Sequence, residues 1–268
     1  MSNLPLQSPA IGSTDTQTPR QEFAAELAAV HQELQGVLAD LYPPLADLVR
    51  SQLLRAQPLL RAALVLAVGV GDPDQATLRQ QRLLLAAAQE MLFIALNIHK
   101  LLLAPQPTQP DEQQKTIMGG IILTGDYCFS RSAILAAQTD HVQVVELFSK
   151  ALQVISEGIL RTFFADRMAM GETNTAAGIP FTNEQSELFV SGVQAAAVLA
   201  ALPAPTTADL IEFAHLLAAQ TPPYAIATIT AQLGAIRQLT PQQQARLAAF
   251  GAWLDTQSNG SYPTGVHH

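Results

Sequence analysis

Between Ile121 and Phe164 this chain carries more apolar side chains than one face of a helix can hold. Ile121, Ile122, Leu123, Cys128, Phe129, Ile134, Leu135, Val142, Val144, Val145, Leu147, Phe148, Leu152, Val154 and Ile155 recur at spacings that wrap most of a helix circumference. A helix apolar on every side must be covered on every side. The segment therefore reads as the central pair of helices in the fold, with apolar surface left over for a second chain. One step interrupts it, Gly125-Asp126-Tyr127. Glycine in a helix interior costs about 1 kcal/mol relative to alanine, and aspartate is a poor helix former away from the N-terminus. Something other than helix propensity holds that step in place.

The rest of the chain has the same character. Alanine and leucine dominate and the aromatic share is only 6 %, which favours helix over strand. Proline and glycine divide the sequence into helical lengths. A stripe at Phe23, Leu27, Val30, Leu34, Val37 and Leu38 ends at Tyr42-Pro43-Pro44. Helices are then predicted at about 45–54, 59–68, 77–103, two over 114–169, and at 184–202, 208–220, 224–239 and 241–256. The prolines at Pro105, Pro107 and Pro110 form a loop no helix crosses. The expectation is an all-α bundle of about ten helices with no strand. Residues 1–20 lack apolar periodicity and read as a disordered leader, residues 21–256 as the helical domain, and the Gly-, Ser- and Pro-containing residues 257–268 as a flexible tail.

Charge and cysteine content exclude several functions. A formal net charge of −8 disfavours nucleic acid and anionic membranes, which are recruited by basic patches. The single Cys128 rules out an intrachain disulfide and reads as a small buried hydrophobe. No apolar run reaches the roughly 18 residues of a membrane span, and a cytoplasmic location is expected. No nucleophile-and-base pattern, glycine-rich phosphate loop or Cys/His metal spacing stands out. The acidic pairs Asp72/Asp74 and Asp111/Glu112 read as solvated surface, and Asp126 with Arg131 as a structural pair.

Ile-Leu-x-Gly-Asp-Tyr-x-x-Ser-Arg-Ser at 122–132 resembles the central helix of the isoprenyl diphosphate synthases, and weaker similarity extends from about Leu53 to Leu254. Arg61-Ala62-Ala63-Leu64-Val65-Leu66 resembles the end of that family's Gly-Lys-Arg-Leu-Arg-Pro-x-Leu-Val-Leu motif, with Gln57, Pro58 and Leu59 where Gly, Lys and Arg are expected. Ile98-His99-Lys100 stands where the family reads Ile-His-Asp-Asp. Glu184-Gln185-Ser186-Glu187-Leu188-Phe189 aligns with Lys-Thr-Ala-x-Leu-Phe, so a phosphate-binding lysine has become Glu184. Phe213-Ala214-x-x-Leu217-Ala218 resembles the lead-in to the second aspartate-rich motif, whose aspartates fall on Ala225 and Ile226.

The resemblance implies a degenerate prenyl-synthase fold without the carboxylates that hold Mg²⁺. It is similar to the small non-catalytic subunits of heteromeric prenyl diphosphate synthases. The expected role is regulatory or structural, as a homodimer alone or a heterodimer with a catalytic partner, which alone would carry Mg²⁺. This chain is expected to have no catalytic residue, no metal site and no cofactor. A divergent active prenyltransferase and a stand-alone isoprenoid carrier or sensor are the alternatives. A vestigial pocket is implied at Arg61, Phe93, Ala95, Leu96, His99 and Lys100, closed by the helix near Leu123, with a possible prenyl-chain ligand. The subunit interface is expected at Asp126, Tyr127, Phe129 and Phe148.

Overall fold

The computed structural model describes residues 17–39, 41–56, 59–103, 111–169, 184–220 and 224–259. They form ten α-helices and one 3-10 turn, with no strand among the described residues. In chain order the helices are α1 Gln17–Ala39, α2 Pro43–Ala56, α3 Leu60–Val68, α4 Ala76–Lys100, α5 Glu112–Ala137, α6 Val142–Ala169, α7 Glu184–Leu199, α8 Ala204–Ala218, α9 Ile226–Ala235 and α10 Pro241–Asn259. The all-α expectation is met, and most boundaries fall within a few residues of those predicted. Four differ more. Helix α1 begins inside the stretch read as a leader, α8 begins at Ala204 rather than 208, α10 runs through residues 257–259 of the expected tail, and α9 ends at Ala235 rather than 239. The proline-rich loop after Leu103 and the loop expected at 171–183 lie outside the described residues.

Helix α3 is the axis of the bundle. All nine of its residues are buried, and α1, α4, α7 and α10 surround it. Helix α4 lies beside it and also packs against α2 and α5, while α6 joins α5 to α7, and α8 and α9 lead to α10. Helix α4 is long and apolar enough to cross a membrane, yet 67 % of that stretch is buried inside the bundle. Local chemistry sets the ends. Asp111 accepts from the Gln114 amide at 2.7 Å while the Gln114 side chain accepts from the Asp111 amide at 2.9 Å, a reciprocal cap that starts α5. Asp111 is thus a capping residue as well as a solvated one.

One polar cluster is sealed within these apolar layers. Arg82 of α4 is fully buried and donates to Glu26 of α1 and to Asp74 in the turn before α4. Arg246 of α10 reaches Glu26 at 3.3 Å and Glu22 at 3.6 Å, and Arg79 adds a more exposed contact to both Glu26 and Asp74. Buried charges are tolerated only when paired and hydrogen-bonded. This cluster therefore fixes the relative positions of α1, α4 and α10. The reading of Asp74 as solvated surface is corrected: its carboxylate is 4 % exposed. Burial alone would raise its pKa, but the hydrogen bond and charge of Arg82, with help from the Gly71 amide and Arg79, hold it below the ordinary value. Asp72 is exposed, as expected.

Candidate functional site

The charged residues singled out in the sequence converge where the C-terminal half of α4 faces α3 and α7. On one side, Arg61 of α3 is buried and its Nε and Nη2 both donate to Glu90 Oε2, at 3.0 and 2.9 Å. The other oxygen of Glu90 accepts from the Ala62 amide at 3.0 Å. The Arg61 guanidinium lies 3.5 Å from the Phe93 ring centroid and 5.8 Å from that of Phe189. Its charge is already satisfied by a carboxylate and an aromatic face. Glu90 was missed in the sequence, although a lone carboxylate inside the apolar half of α4 signals a buried cation nearby.

Nearly three turns beyond Glu90 along α4, Lys100 Nζ sits 2.7 Å from Glu184 Oε2. Glu184 is 3 % exposed and Lys100 41 %. The approach is off the hydrogen-bonding direction, so the contact is an ion pair in which neither Glu184 oxygen gains a hydrogen bond. Lys100 stands in the last turn of α4 and Glu184 in the first turn of α7. Each charge also complements the dipole of its own helix end. Along α4, Phe93, Asn97 and Lys100 share one face and keep part of their surface exposed, whereas Ala95, Leu96 and Ile98 between them are buried. Ala95 and Leu96 belong to the core.

The second grouping explains the Gly-Asp-Tyr step. A Cβ placed on Gly125 would lie 2.2 Å from His99 Nε2 and 2.3 Å from His99 Cδ2. The His99 ring therefore rests on the bare backbone of α5, with Nε2 3.2 Å from Asp126 Oδ1. The Asp126 partner is His99 rather than Arg131, whose Nε is buried without a hydrogen-bond partner. The Tyr127 hydroxyl donates to the Val37 carbonyl of α1 at 3.2 Å, which ties α5 to α1 at this level. Gly125→Ala should force His99 out and cost about 1–2 kcal/mol despite alanine's better helix propensity. Pairing it with His99→Ala should recover most of that loss. Urea unfolding of the two single variants and the double variant measures the coupling.

The remaining expectations divide. Cys128 is fully buried, and burial pushes its thiol pKa up to about 12. Leu123 is 66 % exposed, so it does not close a pocket against Ala95; Thr124, Gly125 and Cys128 face inward at that level. Phe148 is buried within the chain at 4 % exposure. Phe129 is half-buried against the core and Asp126 is exposed. Among the described side chains of α5 and α6, the large exposed apolar ones are Ile117, Ile122, Leu123, Ile134, Val142, Val145 and Leu160.

No protein-family model matches the chain, and no curated protein matches it by sequence. Solved structures do. A decaprenyl diphosphate synthase from Rhodobacter capsulatus matches with a TM-score of 0.58 at 18 % identity, over 91 % of this chain and 89 % of its own. A geranyltransferase from Legionella pneumophila matches with a TM-score of 0.61 at 15 % identity, over 92 % of this chain and 100 % of its own. This is the isoprenyl diphosphate synthase fold. A polyprenyl synthase from Caulobacter crescentus, solved with calcium and isoprenyl diphosphate, matches with a TM-score of 0.58 at 17 % identity, over 91 % of this chain and 87 % of its own.

A divalent cation does not fit the residues that this isoprenyl-synthase-like chain places at the two motif positions. Hard divalent cations need several oxygen ligands. The end of α4 offers Asn97 and Lys100, and the start of α9 offers Tyr224, Ala225 and Ile226. Glu184, the buried carboxylate near the first position, is held by Lys100. Among the described residues no group of three or more His, Cys, Asp or Glu side chains gathers into a metal-binding arrangement.

Proposed function

We propose that this chain is a non-catalytic subunit of the prenyl diphosphate synthase type, acting in the cytoplasm by lending a helical face to a catalytic partner in isoprenoid biosynthesis. The Lys100–Glu184 pair carries this reading. Ionising an allylic diphosphate requires concentrated positive charge beside the leaving group, usually from metals held by carboxylates. Here the positions implied by the resemblance carry the reverse charges, and those charges neutralise each other. The cation of Arg61 is likewise spent on Glu90. Purified chain given Mg²⁺ with allylic and homoallylic diphosphates should show no prenyl transfer above the enzyme-free rate. Turnover that a chelator abolishes would identify a divergent active prenyltransferase instead.

The partner contact is proposed on the outer face of α5 and the start of α6, at Ile122, Leu123, Ile134, Val142 and Val145. Asp126 lies on the same face. A second copy should take that place when the chain is expressed alone. Light scattering at micromolar concentration should report a dimer. Leu123→Glu combined with Ile134→Glu should give a folded monomer, because both side chains are exposed within the protomer. A monomeric unmodified chain would place the contact elsewhere.

A further inference from the structure

We infer that the groove between α9 and α10 binds a compact apolar molecule carrying one positive charge, an amine on an aromatic or alicyclic body. The groove encloses about 580 Å³, a volume within the range of small-molecule sites. All of its lining residues lie between Ile226 and Asp255, so it shares nothing with the α3, α4 and α7 cluster or with the outer face of α5. The inference therefore stands whether or not the chain is catalytic.

The composition of α9 leaves its wall apolar. A surface helix ordinarily turns charged side chains to water. Helix α9 has none, its exposed positions carry only Ala, Thr, Gln and Gly, and Ile229 and Leu233 are its buried residues. Ile226, Leu233, Ile236, Leu239 and Leu247 line the groove. Two glycines shape it. A Cβ on Gly251 would lie 3.3 Å from Leu233 Cδ1, so the bare backbone of α10 seats Leu233 closely. A Cβ on Gly234 would meet nothing within 4 Å. The packing of the chain has no need of glycine there, where alanine is the better helix former, and its effect is to leave the groove open.

The polar groups set the charge of the occupant. Thr230, Gln244 and Asp255 are the polar side chains on the walls, and among the described residues there Asp255 bears the one formal charge. Gln244 Nε2 is engaged, donating to the Leu239 carbonyl at 3.4 Å. Asp255 stands eleven residues further along α10, about 16 Å away at the helical rise, so charge is confined to one end of an otherwise neutral groove. An anion would meet repulsion at that end with no cation on the walls to offset it. An ammonium gains an exposed ion pair of modest strength.

Fluorescence titration of the full chain with dansylcadaverine, and with dansyl-6-aminohexanoate as the same body bearing a carboxylate, tests this. The amine should bind saturably and about fivefold tighter than the acid. Asp255→Asn should bring the two within about twofold of each other. Gly234→Leu should weaken both at least about tenfold by filling the groove, with circular dichroism confirming the fold. Ala248→Leu, which fills it from an exposed position on α10, repeats the test should that variant unfold. Gly234→Ala, whose methyl meets no atom of the chain, should keep the amine within about threefold. No saturable binding, binding that survives both leucine variants, or an acid bound as tightly as the amine overturns the inference. So does self-association that Gly234→Leu abolishes, which would give the groove to a second copy.

Discussion

Replacing Arg82 by alanine is expected to destabilise the bundle by about 3–5 kcal/mol, the usual cost of removing one partner from a buried ion pair. The reason is electrostatic. Without Arg82, Glu26 and Asp74 keep only Arg79, which is half-exposed, and Arg246, which reaches Glu26 at 3.3 Å but also serves Glu22. Two carboxylates would then sit in an apolar interior with too little positive charge. Guanidinium unfolding should show the loss as a shifted midpoint with the denaturant slope unchanged. The same cluster sets the acid limit of the fold. Asp74 has a folded pKa below its ordinary 3.8, so its contribution is complete above that value and declines as the pH falls through the depressed one. Arg82→Ala should remove this acid-sensitive component, leaving a flatter stability profile below about pH 4.

Arg61→Leu should cost a similar 3–5 kcal/mol or so, because it strands Glu90, which is fully buried. Adding Glu90→Gln should recover most of the loss. A glutamine removes the charge, while its carbonyl can still accept from the Ala62 amide that now donates to Glu90 Oε1. Recovery identifies Arg61 as a residue that holds α3 against α4 rather than one waiting for phosphate. If Arg61→Leu leaves stability unchanged while weakening diphosphate binding, Arg61 is a ligand-binding residue and its pairing with Glu90 is incidental. Chemical unfolding together with diphosphate titration separates these outcomes.

Local rules suffice for the helices and for much of the chemistry. Proline and glycine breaks, alanine- and leucine-rich periods and the end signal at Gly69–Pro73 determine ten helices in order, since these are short-range effects of backbone freedom and apolar spacing. The absence of aspartates at Lys100 and Ala225 is equally plain in the sequence, as is the oddity of Gly125. What the sequence could not supply was the partner of each unusual residue. Gly125 is explained by His99, which is distant along the chain but lies directly over it. Lys100 and Glu184 were each legible as a reversed charge, but only the packing of α4 beside α7 makes them one ion pair. Asp74 looked like surface because turns generally are, until α1 and α10 closed over it with Glu26 and Arg246. Phe148 turns into the core and Leu123 toward solvent for the same reason. On a helix apolar all round, periodicity carries no orientation, and the neighbours packed against α5 and α6 decide which side chains enter the core and which remain for a partner.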